Sequence, residues 1–374
     1  MRGNKGEASL DLFEEPSAAY RSRFCVGGIS VQMAGDNAAD VTLVPSLQTF
    51  RSEVGASDIS IRVEWVASLA ATAGRKLFDS GTTWRLYEGD PGFQFDFNAA
   101  IFGERPFKRL LIDNRFRQAS LQISGECLAA LGHSVEPLGY PLDELLIMHR
   151  LTQEKAIELH GAGIVRADGT GNLFVGHSGA GKSTTTRLWT EREDVEVLSD
   201  DRIIVRRDEV RRDDFRRDAG ACGAGEQQVP RLRDRSASPT GHSARDDRAP
   251  IYRAETQVPR FARDDKKNRD DNAGYKMRMY GTPWHGEAMF ASPGSAALAR
   301  IFILEHGYGN VLTRLTPSQA VAELFARSFV PFHRHEYVES ALDFLQEVVE
   351  AVPVYRYAFE PNEAAVERIL KFRD

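Results

Sequence analysis

The chain has 374 residues, of which 42% are apolar and 27% are charged, and its formal net charge is −6. This composition is typical of a globular protein with room for two domains, and the net negative charge argues against a nucleic-acid partner. No segment approaches the about 20 apolar residues of a membrane-spanning helix, so no membrane partner is expected. Residues 1–16 carry scattered charges without the apolar segment of a secretory signal, which predicts a cytoplasmic protein.

The first part of the chain alternates short β-prone runs with turns. Such runs lie at residues 24–33, 59–66, 83–87, 93–97 and 120–123. We predict a β-rich N-terminal domain over residues 20–140, preceded by a disordered N-terminus over residues 1–19. Nothing in this part of the sequence indicates catalytic chemistry.

The second part, residues 141–374, mixes helical and β-prone segments. Residues 141–159 have a helical apolar stripe through Leu142, Leu145 and Leu146. Residues 160–165 and 172–175 are β-prone and are joined by a turn that contains glycine, which predicts a hairpin. Later patterns predict strands at residues 195–198, 202–206, 275–280 and 298–304, and helices at residues 182–193, 317–329, 337–349 and 361–372.

Residues 211–274 interrupt this pattern. They contain similar numbers of basic and acidic residues, few aromatic residues and no apolar periodicity, which is typical of a disordered insertion. The β-prone flanks, residues 202–207 and 275–280, predict a hairpin whose turn is replaced by this insertion. Because the two signs of charge nearly cancel, a docking arm for a charged partner is not favoured.

A phosphate-binding motif lies at residues 176–183. This octapeptide fits G-x-x-x-x-G-K-[ST] at every fixed position, between a short apolar run and a helical segment, as the motif requires. Glycines allow successive backbone amides to curl around a phosphate, and the following helix directs its positive end at the same anion. The predicted nucleotide-binding residues are Gly176, His177, Ser178, Gly179, Ala180, Gly181, Lys182, Ser183 and Thr184.

Within that motif the side chains have separate predicted tasks. Lys182 is expected to contact the β- and γ-phosphates of ATP, and Ser183 is expected to offer its hydroxyl to Mg²⁺. Asp200 and Asp201 follow eighteen residues after Lys182, at the end of the apolar run 195–198. One helix and one turn fit between them, which predicts that the aspartates lie beside the phosphate loop. One carboxylate can then bind Mg²⁺ while the other accepts a proton.

These motifs together resemble a known family. His160-Gly, the octapeptide and Leu198-Ser-Asp-Asp201 are similar to the C-terminal catalytic domain of the HPr kinase/phosphorylase family, which shares its P-loop core with ATP-dependent phosphoenolpyruvate carboxykinases. The resemblance covers residues 158–206 and, more weakly, residues 280–305. It implies an α/β fold of the mixed α+β kind, in which the β-rich N-terminal domain precedes a P-loop kinase-like domain at residues 141–374. Related enzymes oligomerise, which suggests a homo-oligomer.

The resemblance also implies roles for individual residues. Asp200 would act as the general base on a hydroxyl with His160 beside it, and Lys182 would complete the catalytic set. Asp201 and Ser183 would bind the metal, with Glu287 as a further metal-linked residue. The chain lacks the family's Leu-Leu-Glu-Ile-Arg-Gly-type signature, so recognition of HPr and phosphorolysis are not transferred to it.

The preferred function is therefore an ATP- and Mg²⁺-dependent kinase. It would transfer the γ-phosphoryl group to a serine-like hydroxyl of an unidentified protein, peptide or small-molecule acceptor. One alternative is a nucleotide-binding regulatory switch without transfer activity. A further alternative is a carboxykinase-like reaction on a small organic acid, which ranks last because no additional metal cluster or arginine-rich carboxylate site is evident in the sequence.

Overall fold

A computed structural model describes residues 18–53, 56–72, 74–89, 92–131, 136–192, 194–209 and 275–373. The predictions of disorder for residues 1–19 and 211–274 lie outside these residues, apart from residues 18 and 19. Within the described ranges the chain forms two large β-sheets and seven α-helices. The predicted mixed α+β class is confirmed at this level.

The first sheet is built from the N-terminal part of the chain and confirms its β-rich character. It has eight strands in the order β1-β2-β3-β8-β7-β6-β5-β4, with parallel pairing only of β3 with β2 and β8. Two short helices accompany it, α1 (Pro45–Gln48) and α2 (Gly125–Leu131). The strands are β1 Tyr20–Val26, β2 Ile29–Gly35, β3 Ile59–Val66, β4 Lys76–Asp79, β5 Trp84–Glu88, β6 Gly92–Asn98, β7 Pro106–Asp113 and β8 Gln118–Ser124.

The second sheet carries the predicted site. Its main path is β10-β9-β12-β13-β14-β17-β15, and β11 and β16 also pair with β9. Because β10 additionally pairs in parallel with β14, the strands β9, β10, β12, β13 and β14 form a closed circuit. The strands are β9 Ala156–Arg166, β10 Gly171–Val175, β11 Val195–Ser199, β12 Arg202–Glu209, β13 Tyr275–Tyr280, β14 Ser295–His306, β15 Val311–Arg314, β16 Ser328–Phe329 and β17 Val354–Phe359.

Five helices belong to this second part: α3 Leu142–Leu151, α4 Lys182–Arg192, α5 Pro317–Phe325, α6 His335–Ala351 and α7 Glu363–Leu370. Helix α5 begins at the residue that the sequence predicts. The Thr316 side chain accepts a hydrogen bond from the backbone amide of Gln319 and forms a capping box with it. Of the helices in the described ranges, none is sufficiently long and apolar to cross a bilayer.

The helix predicted at residues 141–159 is wrong in its second half. Helix α3 ends at Leu151, and from Ala156 the chain is strand β9. Ile157 and Leu159 fit the helical stripe, but they are buried in the sheet and pair with Val205 and Ile203 of β12. Pairing with a distant strand overrides the local periodicity here.

Both predicted hairpins are confirmed by strand pairing. Strands β9 and β10 are antiparallel, with Ala162 opposite Phe174. Strands β12 and β13 are antiparallel, with Ile204 opposite Tyr280. The second pairing brings the two flanks of the long insertion together, so the sheet continues across it.

The two sheets are joined by shared packing. One apolar cluster contains residues of the first sheet and α3 together with Ile204, Tyr280 and Trp284 from the second part. The Arg206 guanidinium also donates to the carbonyl of Gly27 at 3.0 Å. The second sheet, which carries the predicted site residues, is therefore packed against the N-terminal sheet.

Candidate active site

The phosphate loop joins the end of β10 to the start of α4, in the strand, loop, helix order that the motif requires. Gly179 and Gly181 have positive φ angles of 78° and 99°. A side chain at Gly181 would also collide with the Phe359 ring, since a Cβ there would lie 2.4 Å from Cζ. Glycine is thus required at this position by backbone conformation and by packing.

Lys182 lies at the base of this loop. Its side chain is buried, and Nζ donates to the carbonyl oxygens of Gly176 and His177 at 3.1 and 3.2 Å. Burial lowers the pKa of Lys182, and the negative charge of Asp201 opposes that shift. Phosphate oxygens are stronger acceptors than these neutral carbonyls. The ammonium group can therefore give up its hydrogen bonds to the two carbonyls and donate to a bound phosphate instead.

The remaining predicted nucleotide-binding residues form one continuous surface. His177, Ser178 and Gly179 are exposed at the tip of the loop, whereas Ser183 and Thr184 are partly exposed in the first turn of α4. Burial lowers the pKa of His177, and the nearby charges of Arg327 and His160 lower it further. The tip and the helix start are therefore accessible to an anion.

His160 and the aspartate pair lie beside the loop, as the sequence predicts. The carbonyl of His160 accepts a hydrogen bond from the backbone amide of Gly176 at 3.2 Å. The next amide along β9, that of Gly161, donates to the carbonyl of Asp201 at 2.9 Å. Strand β9 thus holds the start of the phosphate loop and the end of β11 together.

The two aspartates have different surroundings. Asp200 is 1% exposed, and its carboxylate accepts hydrogen bonds from the backbone amides of Gly286, Ala288 and Phe290 at 2.9, 2.9 and 3.3 Å. These amides all belong to the segment between β13 and β14. Asp200 therefore fixes the path of that segment and presents little surface to a substrate.

Asp201 is the aspartate that contacts His160. Nε2 of His160 lies 2.9 Å from Oδ1 of Asp201, and Nε of Arg202 lies 3.2 Å from Oδ2. Burial alone raises the pKa of Asp201, but the hydrogen bond from His160 and the charges of Arg202 and Lys182 outweigh burial and hold that pKa below its ordinary value. Asp201 is therefore an ionised, partly accessible carboxylate.

A second row of charges lies behind this pair and was not predicted. Arg202 approaches Glu144 of α3 at 3.2 Å, and its guanidinium stacks on Phe329 at 3.8 Å from the ring centroid. Glu158 of β9 is fully buried, and burial together with the Glu144 charge raises its pKa well above the ordinary value. The signal in the sequence was a charged residue inside an otherwise apolar β-prone run, Ala156 to Leu159.

Glu287 follows Gly286 in the segment that Asp200 holds. Its side chain is exposed, whereas Trp284 nearby is buried and donates from Nε1 to Asp143 at 3.0 Å. Met289 has a positive φ of 60° and is 69% exposed, an unusual combination for this residue type. Among the described residues, no group of three or more His, Cys, Asp or Glu side chains is arranged to hold a metal ion.

No protein-family model matches this chain, and no curated protein shows significant similarity to it. The resemblance to the HPr kinase/phosphorylase family therefore rests on the motif residues given above.

Proposed function

We propose that this protein is an ATP- and Mg²⁺-dependent kinase that transfers the γ-phosphoryl group to a hydroxyl of a protein, peptide or small molecule. The observation that carries the proposal is the pairing of Asp201 with His160 beside Lys182 of the phosphate loop. Phosphoryl transfer needs groups that bind phosphate and a carboxylate that receives the hydroxyl proton. The neighbouring side chains supply both.

We assign the general base to Asp201 instead of Asp200. The resemblance implies a base with His160 beside it, and the carboxylate beside His160 is that of Asp201. Asp200 already accepts three backbone amide hydrogen bonds and is nearly inaccessible. Protonation of Asp200 during turnover would weaken those bonds, whereas protonation of Asp201 would leave this segment intact.

The donors present fit a magnesium ion. Ser183 offers a partly exposed hydroxyl in the first turn of α4. The resemblance implies Asp201 as a metal ligand as well, but we assign its carboxylate to the proton instead of the metal. Mg²⁺ in phosphoryl-transfer sites takes few protein ligands and is held largely by phosphate oxygens and water. Its contribution would be to offset charge on the β- and γ-phosphates. Ser183 is the proposed protein ligand, and Glu287 has no described contact that supports such a role.

The proposed step follows from these positions. The acceptor hydroxyl oxygen forms a bond to the γ-phosphorus while the bond from that phosphorus to the bridging oxygen of ADP breaks. The hydroxyl proton passes to Asp201, which His160 holds in place. Lys182 and the loop amides offset the negative charge on the phosphates, and Arg202 offsets the charge of Asp201 until it is protonated.

The wider architecture supports the same proposal. The order of β10, loop, α4, β11 and aspartate pair is the order that the family resemblance implies. We therefore propose a P-loop core of the HPr kinase and phosphoenolpyruvate carboxykinase type. The missing family signature leaves the acceptor defined only by its hydroxyl group.

The test combines binding with transfer. Calorimetry would measure the affinity of the purified full chain for ATP with Mg²⁺, and γ-labelled ATP would report transfer to serine-containing peptides and small polyols. Wild-type protein is expected to bind ATP and to produce an acid-stable phosphoester. Lys182→Met is expected to lose both, whereas Lys155→Met, which removes an exposed lysine paired with Glu347, is expected to retain both.

Three outcomes would contradict the proposal. Wild-type protein that binds no nucleotide would remove its basis. Tight ATP binding with neither transfer nor hydrolysis would favour the nucleotide-binding switch instead. ATP consumption that depends on oxaloacetate would favour a carboxykinase-like reaction.

A further inference from the structure

The turn at residues 307–310 lies directly beside the phosphate loop. Strands β10 and β14 are parallel, with Val175 opposite Ile303, so both chains leave the sheet at the same edge. A Cβ at Gly176 would lie 3.5 Å from Cβ of Leu304, which shows how closely the two exits approach. Side chains that the turn exposes to solvent therefore lie next to the predicted position of the nucleotide phosphates.

His306 connects the turn to the phosphate loop. Its Nε2 atom lies 2.8 Å from the carbonyl oxygen of Gly179, at the tip of the loop. Its ring stacks on Phe359, with 6.0 Å between centroids and 23° between planes. Phe359 also fills the space under Gly181. One aromatic side chain thus supports both the loop and the start of the turn.

The turn itself is held by several hydrogen bonds. The amide of Gly307 donates to the carbonyl of Phe359 at 3.2 Å, and the amide of Gly309 donates to Glu360 at 2.8 Å. The amide of Glu360 donates in return to the side chain of Asn310 at 2.9 Å. Asn310 has a positive φ of 50°, in the left-handed region that asparagine adopts more readily than most other residues. The turn is rigid.

This rigid turn exposes a large aromatic ring. Tyr308 is 90% exposed, the highest value among the large apolar and aromatic side chains of the described segments. Tyr308 is two positions along the chain from His306, so their Cα atoms are at most about 7 Å apart. Because His306 contacts the tip of the loop, we expect a ribose and base that extend from phosphates on the loop to reach this ring. Every nucleobase offers a π-face for stacking on such a ring.

We propose that Tyr308, supported by His306, is the stacking platform for the nucleobase of the bound nucleotide. This inference rests on the proposed nucleotide-binding function and adds the part of the nucleotide that the phosphate loop does not contact. Stacking is tolerant of base identity, so ATP and GTP are expected to bind with similar affinities. Specificity would then come from the acceptor side of the site.

The test distinguishes binding of the nucleobase from binding of the phosphates. Calorimetric titrations would compare ATP with inorganic tripolyphosphate, each with Mg²⁺, on the full chain. Tyr308→Ala is expected to weaken ATP binding about tenfold, in the range of measured base stacking, and to leave tripolyphosphate binding unchanged. Tyr308→Phe keeps the ring and is expected to bind ATP like wild type. Tyr20→Ala, which removes a partly exposed tyrosine in β1, is the matched control.

The outcomes distinguish this inference from the proposed function. Unchanged ATP affinity in Tyr308→Ala, with wild-type protein binding both ligands, would overturn the platform and leave the kinase proposal standing. Equal weakening of ATP and tripolyphosphate would show that Tyr308 supports the loop instead of the base, and would also overturn it. Wild-type protein that binds neither ligand would overturn both proposals.

Discussion

The two sheets bury charged groups in contrasting ways. In the first sheet, Arg109 donates from Nε and Nη2 to the two carboxylate oxygens of Asp96 at 2.7 and 2.9 Å. Gln94 and Thr72 donate to the same carboxylate. Both charges are almost fully buried, and the carboxylate accepts several hydrogen bonds.

In the second sheet, several buried polar atoms have no hydrogen-bond partner. Both carboxylate oxygens of Glu158 are buried without a hydrogen-bond partner, and the same holds for Nε and Nη1 of Arg202. Arg202 lies 3.2 Å from Asp201 and from Glu144, but these approaches lack hydrogen-bond geometry. Buried polar groups without a hydrogen-bond partner cost stability and are found preferentially at functional sites.

We expect the buried charged groups of the two sheets to have different roles, one in folding and one in phosphoryl transfer. The Asp96 network fixes the N-terminal sheet, and we expect its loss to affect folding and not phosphoryl transfer. The charges around Asp201 leave bonding capacity for a substrate, so their loss is expected to affect transfer more than folding. The experiments below test this division through the stability of the protein, and the last of them also measures phosphoryl transfer.

The largest effect on stability is expected from Arg109→Met. The substitution leaves the Asp96 carboxylate buried and without its cation, which typically costs about 3–5 kcal/mol of unfolding free energy. Urea denaturation would measure the loss. Arg75→Met breaks the exposed pair with Glu88 and is expected to cost less than about 1 kcal/mol. Similar losses in the two variants would contradict the division.

Asp200→Asn is expected to destabilise the protein by about 2 kcal/mol, because hydrogen bonds to a charged acceptor are replaced by weaker ones and one amide group faces donors. Hydrogen exchange should show reduced protection of the backbone amides of Gly286, Ala288 and Phe290, which donate hydrogen bonds to this carboxylate. Protection equal to wild type at these three amides would show that Asp200 does not hold the segment.

The next effect concerns pH. Burial lowers the pKa of His149 to about 3, against an ordinary value of 6.5, so the folded protein keeps this histidine neutral while the unfolded chain binds a proton. Stability is therefore present above pH 6.5 and is lost as pH falls. His149 alone is expected to remove about 1 kcal/mol of unfolding free energy between pH 7 and pH 5.5.

His149→Gln provides the matched comparison, since glutamine is neutral at every pH in this range. Its acid dependence, followed by urea denaturation at several pH values, is expected to be shallower than that of wild type. His333 contacts His149, and burial lowers its pKa to about 4, so part of the acid dependence should remain. Identical pH dependence in the two proteins would contradict the assignment.

The smallest effect is expected from Glu158→Gln. Burial and Glu144 raise the pKa of Glu158 above its ordinary value of 4.5, so the unfolded chain releases this proton first and stability falls as pH rises above 4.5. The neutral amide removes this pH dependence, so the variant is expected to lose less unfolding free energy than wild type between pH 4.5 and pH 7. A loss of several kcal/mol at pH 7 would instead indicate an ionised Glu158 paired with Arg202.

The parts of this fold that depend on local sequence could be predicted. The phosphate loop, helix α4 and the hairpin of β9 and β10 follow from glycine positions and short apolar runs. Strand β17, Val354 to Phe359, was missed although its residues alternate and Pro353 separates them from α6. The end of α3 was misplaced because strand pairing is not encoded in local periodicity.

The roles within the aspartate pair depend on distant contacts. Asp200 is sequestered by amides about ninety positions along the chain, and no local pattern reports those bonds. Arg202 and Glu144 meet only because β12 packs near α3. The sequence therefore predicted that the aspartates lie beside the loop, but it did not distinguish the buried carboxylate of Asp200 from the more accessible carboxylate of Asp201.

The most direct test of this account is the rate of γ-phosphoryl transfer by Asp201→Asn, measured at saturating ATP and Mg²⁺. Removal of a general base is expected to lower the rate by about 10²–10⁴-fold. ATP affinity and unfolding free energy, measured on the same sample, should stay close to wild type, because Asp201 is a quarter exposed. Transfer at the wild-type rate would contradict the assignment of the general base to Asp201.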